Sequence, residues 1–202
     1  NMYQGARLLA KHQPYPKVLI LEIGADRPND IAQLMQYVKP DIAVVTAIGE
    51  VPVHVEFFAG PEDVAREKSK LVQALAQDGF AILNGDDLTV LEMREKTKAK
   101  TLVVGFGEDS AVRASEYKLM TRTGGDERPE GIIFKLDHGG ASVPVRLHDV
   151  FGKQVVYTAL SAAGVGIAMG MNLVEIAEAL STYVAPAGRL RLIRGEKETW
   201  IL

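Results

Sequence analysis

The sequence predicts an α/β fold: three layers, with a mainly parallel sheet covered by helices on both faces, plus a small antiparallel β subdomain. Two observations carry this expectation. Through the first half, short apolar runs alternate with amphipathic stretches, and strands separated by helices require right-handed crossovers and hence parallel pairing. From Arg113 to His148 the apolar period shortens to two, which is the mark of antiparallel strands with one solvated face.

Taken in order, Val18-Leu19-Ile20-Leu21 reads as a buried strand and Asp41 to Thr46 as a second. Phe80 to Leu83 and Thr101 to Val104 read as two more. Between them, Asp30 to Tyr37, Pro61 to Ala76 and Asp87 to Thr97 carry helical spacing. In the second half, SEYKLMTR, GIIFKLD and SVPVRLH alternate apolar and polar residues, and the glycine-rich pieces TGGDERPEG and HGG separate them as turns. Gly152 to Met169 and Asn172 to Tyr183 then read as a helix pair, with Asn172 placed to cap the second. Ala185-Pro186-Ala187-Gly188 breaks the pattern. The chain begins at Asn1 and stops inside an apolar stretch, Thr199 to Leu202, which reads as a fragment of a longer protein.

Composition narrows the function. With 202 residues, 47% hydrophobic and 24% charged, the chain is long enough for one sizeable core. A net charge of −3 argues against a nucleic-acid groove, which needs a basic stripe. No apolar run approaches the ~20 residues of a membrane span, and the N-terminal stretch lacks the layout of a signal peptide, so the cytoplasm is the expected compartment. The absence of cysteine excludes thiol chemistry and thiolate metal sites.

Three residues stand out physically. Glu22 ends an apolar run and precedes Gly24. Ligands of open parallel sheets bind beyond the carboxyl ends of strands, so Glu22 either holds a cation there or merely caps the strand in solvent. Lys68 falls on the helical face of Val64, Leu71 and Leu75, while Arg66, Glu67 and Lys70 read as a solvated face. A lysine in an apolar stripe either snorkels out or loses its proton to burial. In the second case the neutral amine can take up carbon dioxide as a carbamate. His54 lies in the loop after the second strand, at the same expected sheet edge as Glu22. Together the three make an oxygen-rich shell suited to magnesium. Nothing matches the phosphate-cradling GxxxxGK[ST] loop, and Gly105-Phe106-Gly107 reads as a turn.

These positions coincide with a known pattern. Leu19 to Ala32 (LILEIGADRPNDIA) resembles the strand, loop and helix of Mur-type ligases of the MurF branch, where the glutamate binds magnesium. His54 to Val72 (HVEFFAGPEDVAREKSKLV) resembles the segment that carries a metal-binding histidine and a carbamylated lysine. Phe80 to Asp87 (FAILNGDD), Gly152 to Leu180 and Ala185 to Ile193 (APAGRLRLI) resemble the next strand and turn, the closing helix pair and the exit of the central domain. The chain departs from the pattern at Ala47, where an asparagine is usual, and in the length of the loop from Ala47 to His54. It departs again at Gln154, Val155 and Thr158, which stand at the family's adenine-side His-Asn pair and later Asn; Val155 offers no side-chain hydrogen bond there.

The resemblance implies a P-loop-NTPase-like central domain over residues 1–190, with an antiparallel segment at 112–148 and the start of a C-terminal ligase domain at 191–202. It implies ATP and Mg2+ as cofactors. Glu22, His54 and carbamylated Lys68 would be the metal side, with Lys68 as the catalytic group. Arg189, Gln154 and Thr158 would face the nucleotide. The implied substrates are a UDP-muramoyl tripeptide and D-alanyl-D-alanine, joined through an acyl phosphate. A folylpolyglutamate synthase of the same superfamily, or a domain that keeps the fold without the chemistry, are the alternatives. Substrate and oligomeric state lie outside what these residues specify.

Overall fold

The computed structural model describes residues 16–49, 57–122, 128–186, 192–196 and 199–201. The first half builds strands from β-branched and aliphatic runs and covers them with helices. Helix α1 (Asp30–Leu34) leads to β1 (Ile42–Val45), and α2 (Pro61–Gln73) to β2 (Phe80–Asn84). A short α3 (Leu88–Leu91) runs on into a 3-10 turn (Glu92–Lys96), so the single helix expected from Asp87 to Thr97 is two tighter pieces. Then follow β3 (Lys100–Gly105), β4 (Val112–Thr121), β5 (Pro129–His138) and β6 (Ala141–His148). Helices α4 (Lys153–Ala168) and α5 (Leu173–Ser181) close the fold, and β7 (Ile193–Arg194) pairs with β8 (Trp200–Ile201) as a separate antiparallel ribbon.

The six main strands lie in the order β1-β2-β3-β4-β5-β6. The first three interstrand pairs are parallel and the last two antiparallel. The antiparallel segment is therefore joined to the parallel sheet rather than set apart from it. The join is short: β4 meets β3 only at Val104↔Val112 and Gly105↔Arg113, the carboxyl end of β3.

Apolar side chains fill both faces. Ile82, Val104, Val112, Phe134 and Leu136 pack under α4 and α5 on one side. Ala43, Val45, Leu83, Val72, Val90 and Met93 pack between the sheet and α2, α3 and the 3-10 turn on the other. Each fully buried aliphatic side chain contributes about 1.5–3 kcal/mol relative to exposure. Helix α4 lies close on the sheet because Gly164 has no side chain: a Cβ there would sit 2.8 Å from Ile82 Cγ2. Asn172 caps α5 as its residue type predicts, within a reciprocal box completed by Glu175.

Two expectations are corrected. Val18 to Leu21 forms no strand, and its side chains are 50%, 63%, 87% and 48% exposed. β-propensity favours an extended chain, but a strand needs a neighbour to take its N–H and C=O groups. Among the described residues nothing pairs with this run, and β1 ends the strand order. The second correction concerns Glu67. It is buried at 3% exposure rather than solvated.

Glu67 works at the start of α1. Its carboxylate accepts the backbone N–H groups of Asn29 at 2.9 Å, Ile31 at 2.9 Å and Ala32 at 3.4 Å, and pairs with Lys70 Nζ at 2.6 Å. Asn29, the residue before α1, has φ of 77° and makes no side-chain cap of its own. A carboxylate from α2 supplies the missing acceptor. Burial alone would raise the Glu67 pKa, but the Lys70 bond and the Asn29 and Ile31 N–H groups outweigh it and hold the pKa below its ordinary value.

Candidate functional site

The carboxyl ends of β1, β2 and β3 lie side by side, and the turn after β2 organises them. Asn84, buried at 8% exposure, donates its side-chain amide to Thr46 O at 2.9 Å and accepts from Asp86 N at 3.1 Å. Asp87 faces the β1 side: it accepts Ile48 N at 2.8 Å and caps α3 through Val90 N at 3.1 Å. Asp86 faces the other way. It accepts Phe106 N at 2.6 Å, Gly107 N at 3.1 Å and the Tyr157 hydroxyl at 2.9 Å. Gly105 allows this wrap, because a Cβ there would meet Asp86 Oδ2 at 2.9 Å. The sequence pattern did not single out Asp86, Asp87 or Tyr157. The available signal was a pair of adjacent aspartates following Asn-Gly at the carboxyl end of a strand.

Lys68 arrives at this edge from α2. The buried stripe of that helix runs through Ala65, Ser69 and Val72 and on to Leu75, so Val72 and Leu75 are buried as expected while Val64 and Leu71 shift to partial burial. That shift leaves Lys68 half-buried at the flank of the stripe, with Nζ donating to Ala47 O at 3.4 Å. The extended side chain thus reaches a polar edge of the sheet.

Gln154 and Thr158 lie on the first turns of α4, both exposed, and the Thr158 hydroxyl donates to Gln154 O at 3.1 Å. Val155 turns inward and packs on the core. Between them Tyr157 stands edge-on to Phe106, with ring centroids 5.2 Å apart, and Lys153 Nζ lies 5.3 Å from the Phe106 centroid. Burial first, then the Asp86 hydrogen bond and charge, push the Tyr157 hydroxyl up to about 12. Tyr157 therefore stays a neutral donor to Asp86 at any physiological pH.

Glu22 is exposed, in the stretch before α1. His54 and Arg189 lie outside the described residues. Among the described residues no three His, Cys, Asp or Glu side chains gather as a metal cluster. Asp86 and Asp87 accept N–H or O–H donors on both of their oxygens. An exposed Glu22 carboxylate is still a hard oxygen donor of the kind magnesium takes, and no thiol competes, since the chain has no cysteine. The donor chemistry fits that ion.

A family model described as the Mur ligase middle domain matches residues 2–166. The chain belongs to that family. As a Mur ligase middle domain, it is 36% identical over 179 residues to the UDP-N-acetylmuramoyl-tripeptide–D-alanyl-D-alanine ligase of Mycobacterium leprae, covering 86% of this chain and 34% of that protein. It is also 28% identical over 156 residues to the UDP-N-acetylmuramate–L-alanine ligase of Aquifex aeolicus, covering 76% and 32%. The crystal structure of MurF from Acinetobacter baumannii superposes with a TM-score of 0.74 at 27% identity, over 88% of this chain and 36% of that one. MurF of Thermotoga maritima, solved in complex with ADP, shares the fold at a TM-score of 0.67 and 22% identity, over 85% and 37%. This Mur ligase middle domain thus spans about a third of the curated relatives it matches.

Proposed function

We propose that this chain is the central domain of a cytoplasmic, ATP-dependent carboxylate–amine ligase of peptidoglycan precursor synthesis. The parent enzyme joins D-alanyl-D-alanine to a UDP-muramoyl tripeptide. The observation that carries the reading is the 36% identity with a ligase of that name, held over 179 residues. No helix among the described residues is long and apolar enough to cross a membrane, which fits an enzyme acting on small, water-borne substrates. Residues 1–190 would form the central domain, with the antiparallel segment at 112–148 as part of it and residues 191–202 opening the next domain.

In the proposed reaction the γ-phosphoryl of ATP passes to the substrate carboxylate, giving an acyl phosphate and ADP. The amine then attacks the acyl carbon, and phosphate leaves from the tetrahedral intermediate as the amide forms. The protein's part is positioning and charge neutralisation. Gln154 and Thr158 hold the nucleotide at the start of α4, and Arg189 pairs with its phosphates or ribose. Glu22 and His54, the latter as neutral imidazole, would hold magnesium, and Lys68, as a carbamate, would help hold a second magnesium and orient the γ-phosphate. When bound, the ion neutralises charge on the phosphate oxygens.

The test is ADP release by the parent-length protein with magnesium, ATP and UDP-muramoyl tripeptide. Release that depends on added D-alanyl-D-alanine is expected. No release from a folded parent with a phosphate-cradling loop would point to another acceptor such as a folate, and a parent without that loop would leave a non-catalytic domain.

A further inference from the structure

The turn Asn84–Asp87 sits between the two halves of the proposed site, and its two carboxylates point opposite ways. Asp86 spends both oxygens on the β3 loop and on α4, through Phe106 N, Gly107 N and Tyr157 Oη. Asp87 spends both on the β1 loop and on α3, through Ile48 N and Val90 N. Neither shares an acceptor with the other. Ile48 follows Ala47, whose carbonyl receives Lys68. Tyr157 lies between Gln154 and Thr158 on the same turns of α4.

We infer that these adjacent aspartates are separate positioning residues: Asp86 sets the nucleotide side of the edge and Asp87 sets the metal side. The inference rests on the ligase reading above. Tyr157 is the link on the nucleotide side, since its hydroxyl ties the start of α4 to the turn through Asp86. Its ring, edge-on to Phe106, keeps the loop after β3 and the helix in one register. On the metal side the link is backbone: holding Ile48 N holds Ala47 O, the acceptor that receives the Lys68 ammonium before any carbamylation. Asp86 lies in the turn that leaves β2, whereas Asp87 is the N-cap of α3, so the two consecutive residues belong to different pieces of local structure.

The experiment uses the parent-length enzyme and its Asp86→Asn, Tyr157→Phe and Asp87→Asn variants. Asn replaces one accepting oxygen with an NH2 that faces a donor, yet Asn also serves well at a helix N-cap, so Asp87→Asn keeps α3. For each variant the KM for ATP at saturating magnesium and the magnesium concentration for half-maximal rate are measured, with amide hydrogen exchange alongside. Asp86→Asn should raise the ATP KM by about tenfold, Tyr157→Phe by about threefold, and both should leave the magnesium requirement within about twofold. Asp87→Asn should show the reverse split. Exchange should quicken at Phe106 and Gly107 in the first case and at Ile48 in the second, with Ile82 and Leu83 unchanged. If Asp86→Asn does not fold, Tyr157→Phe decides the nucleotide side. Unchanged constants, or equal movement of both constants in every variant, overturn the inference while the ligase reading stands. No ADP release from the unsubstituted parent overturns both.

Discussion

The turn after β2 and the run Val18 to Leu21 make a useful pair. The run was expected as a buried strand and the turn as the end of a later one, and both carry strong local signals. In the turn every carboxylate oxygen finds a donor, and β2 beneath it is buried at Ala81, Ile82 and Leu83, each 0% exposed. The run offers four apolar side chains and finds no ladder partner among the described residues. An element's own residues choose its conformation. Its neighbours decide whether that conformation becomes part of the sheet.

The contrast can be broken by substitution. Leu83→Ala, in the middle of the anchored region, should destabilise the domain by about 2–5 kcal/mol, because the close packing around it collapses only partly into the space left. Urea unfolding of the folded chain reads this directly, and a cost below about 1 kcal/mol would mean β2 is less well packed than its burial indicates.

Glu67→Gln should cost less, about 1–3 kcal/mol, since α1 loses a charged acceptor and Lys70 its partner. The pH dependence has a definite sign. A carboxylate whose folded pKa is depressed stabilises above its unfolded value, and that stability is lost as pH falls through the folded pKa. The parent and Glu67→Gln stability curves should therefore lie apart near neutrality and converge in acid. Curves that stay parallel down to strongly acid pH would assign the cost to packing instead.

Ile20→Ser is the smallest expected change, within about 0.5 kcal/mol in the isolated chain, because the side chain is 87% exposed. A loss comparable to Leu83→Ala would show that Val18 to Leu21 is sheltered in solution, and the contrast between the two regions would disappear.

Much of the fold was legible from pattern. β1, β2, β3 and the helix pair announce themselves by length and period, and Asn172 by its residue type. The small shift of the α2 stripe was not legible, because Val64 and Leu71 are as apolar as Val72 and only the packing decides which row faces inward. Glu67 could not be read at all. Its backbone partners lie 35 to 38 residues earlier, and in a row of alternating charges nothing local marks the one that is buried. At the candidate site, Lys68 was singled out by its place in an apolar helical stripe and Gln154 and Thr158 through resemblance, whereas the roles of Asp86, Asp87 and Tyr157 become visible only when three strand ends and a helix are set beside one another.

The close seat of Gly164 on Ile82 also makes α4 a measuring rod. The helix is pinned to the sheet at that point, while its first turns carry Gln154, Tyr157 and Thr158 at the edge. One residue inserted between pin and tip would push the tip about 1.5 Å along the axis and swing it by about 100°. Tyr157 would then face away from Asp86. Over that stretch the number of residues matters more than which residues they are, and drift that changes many side chains would be tolerated sooner than one that changes the count.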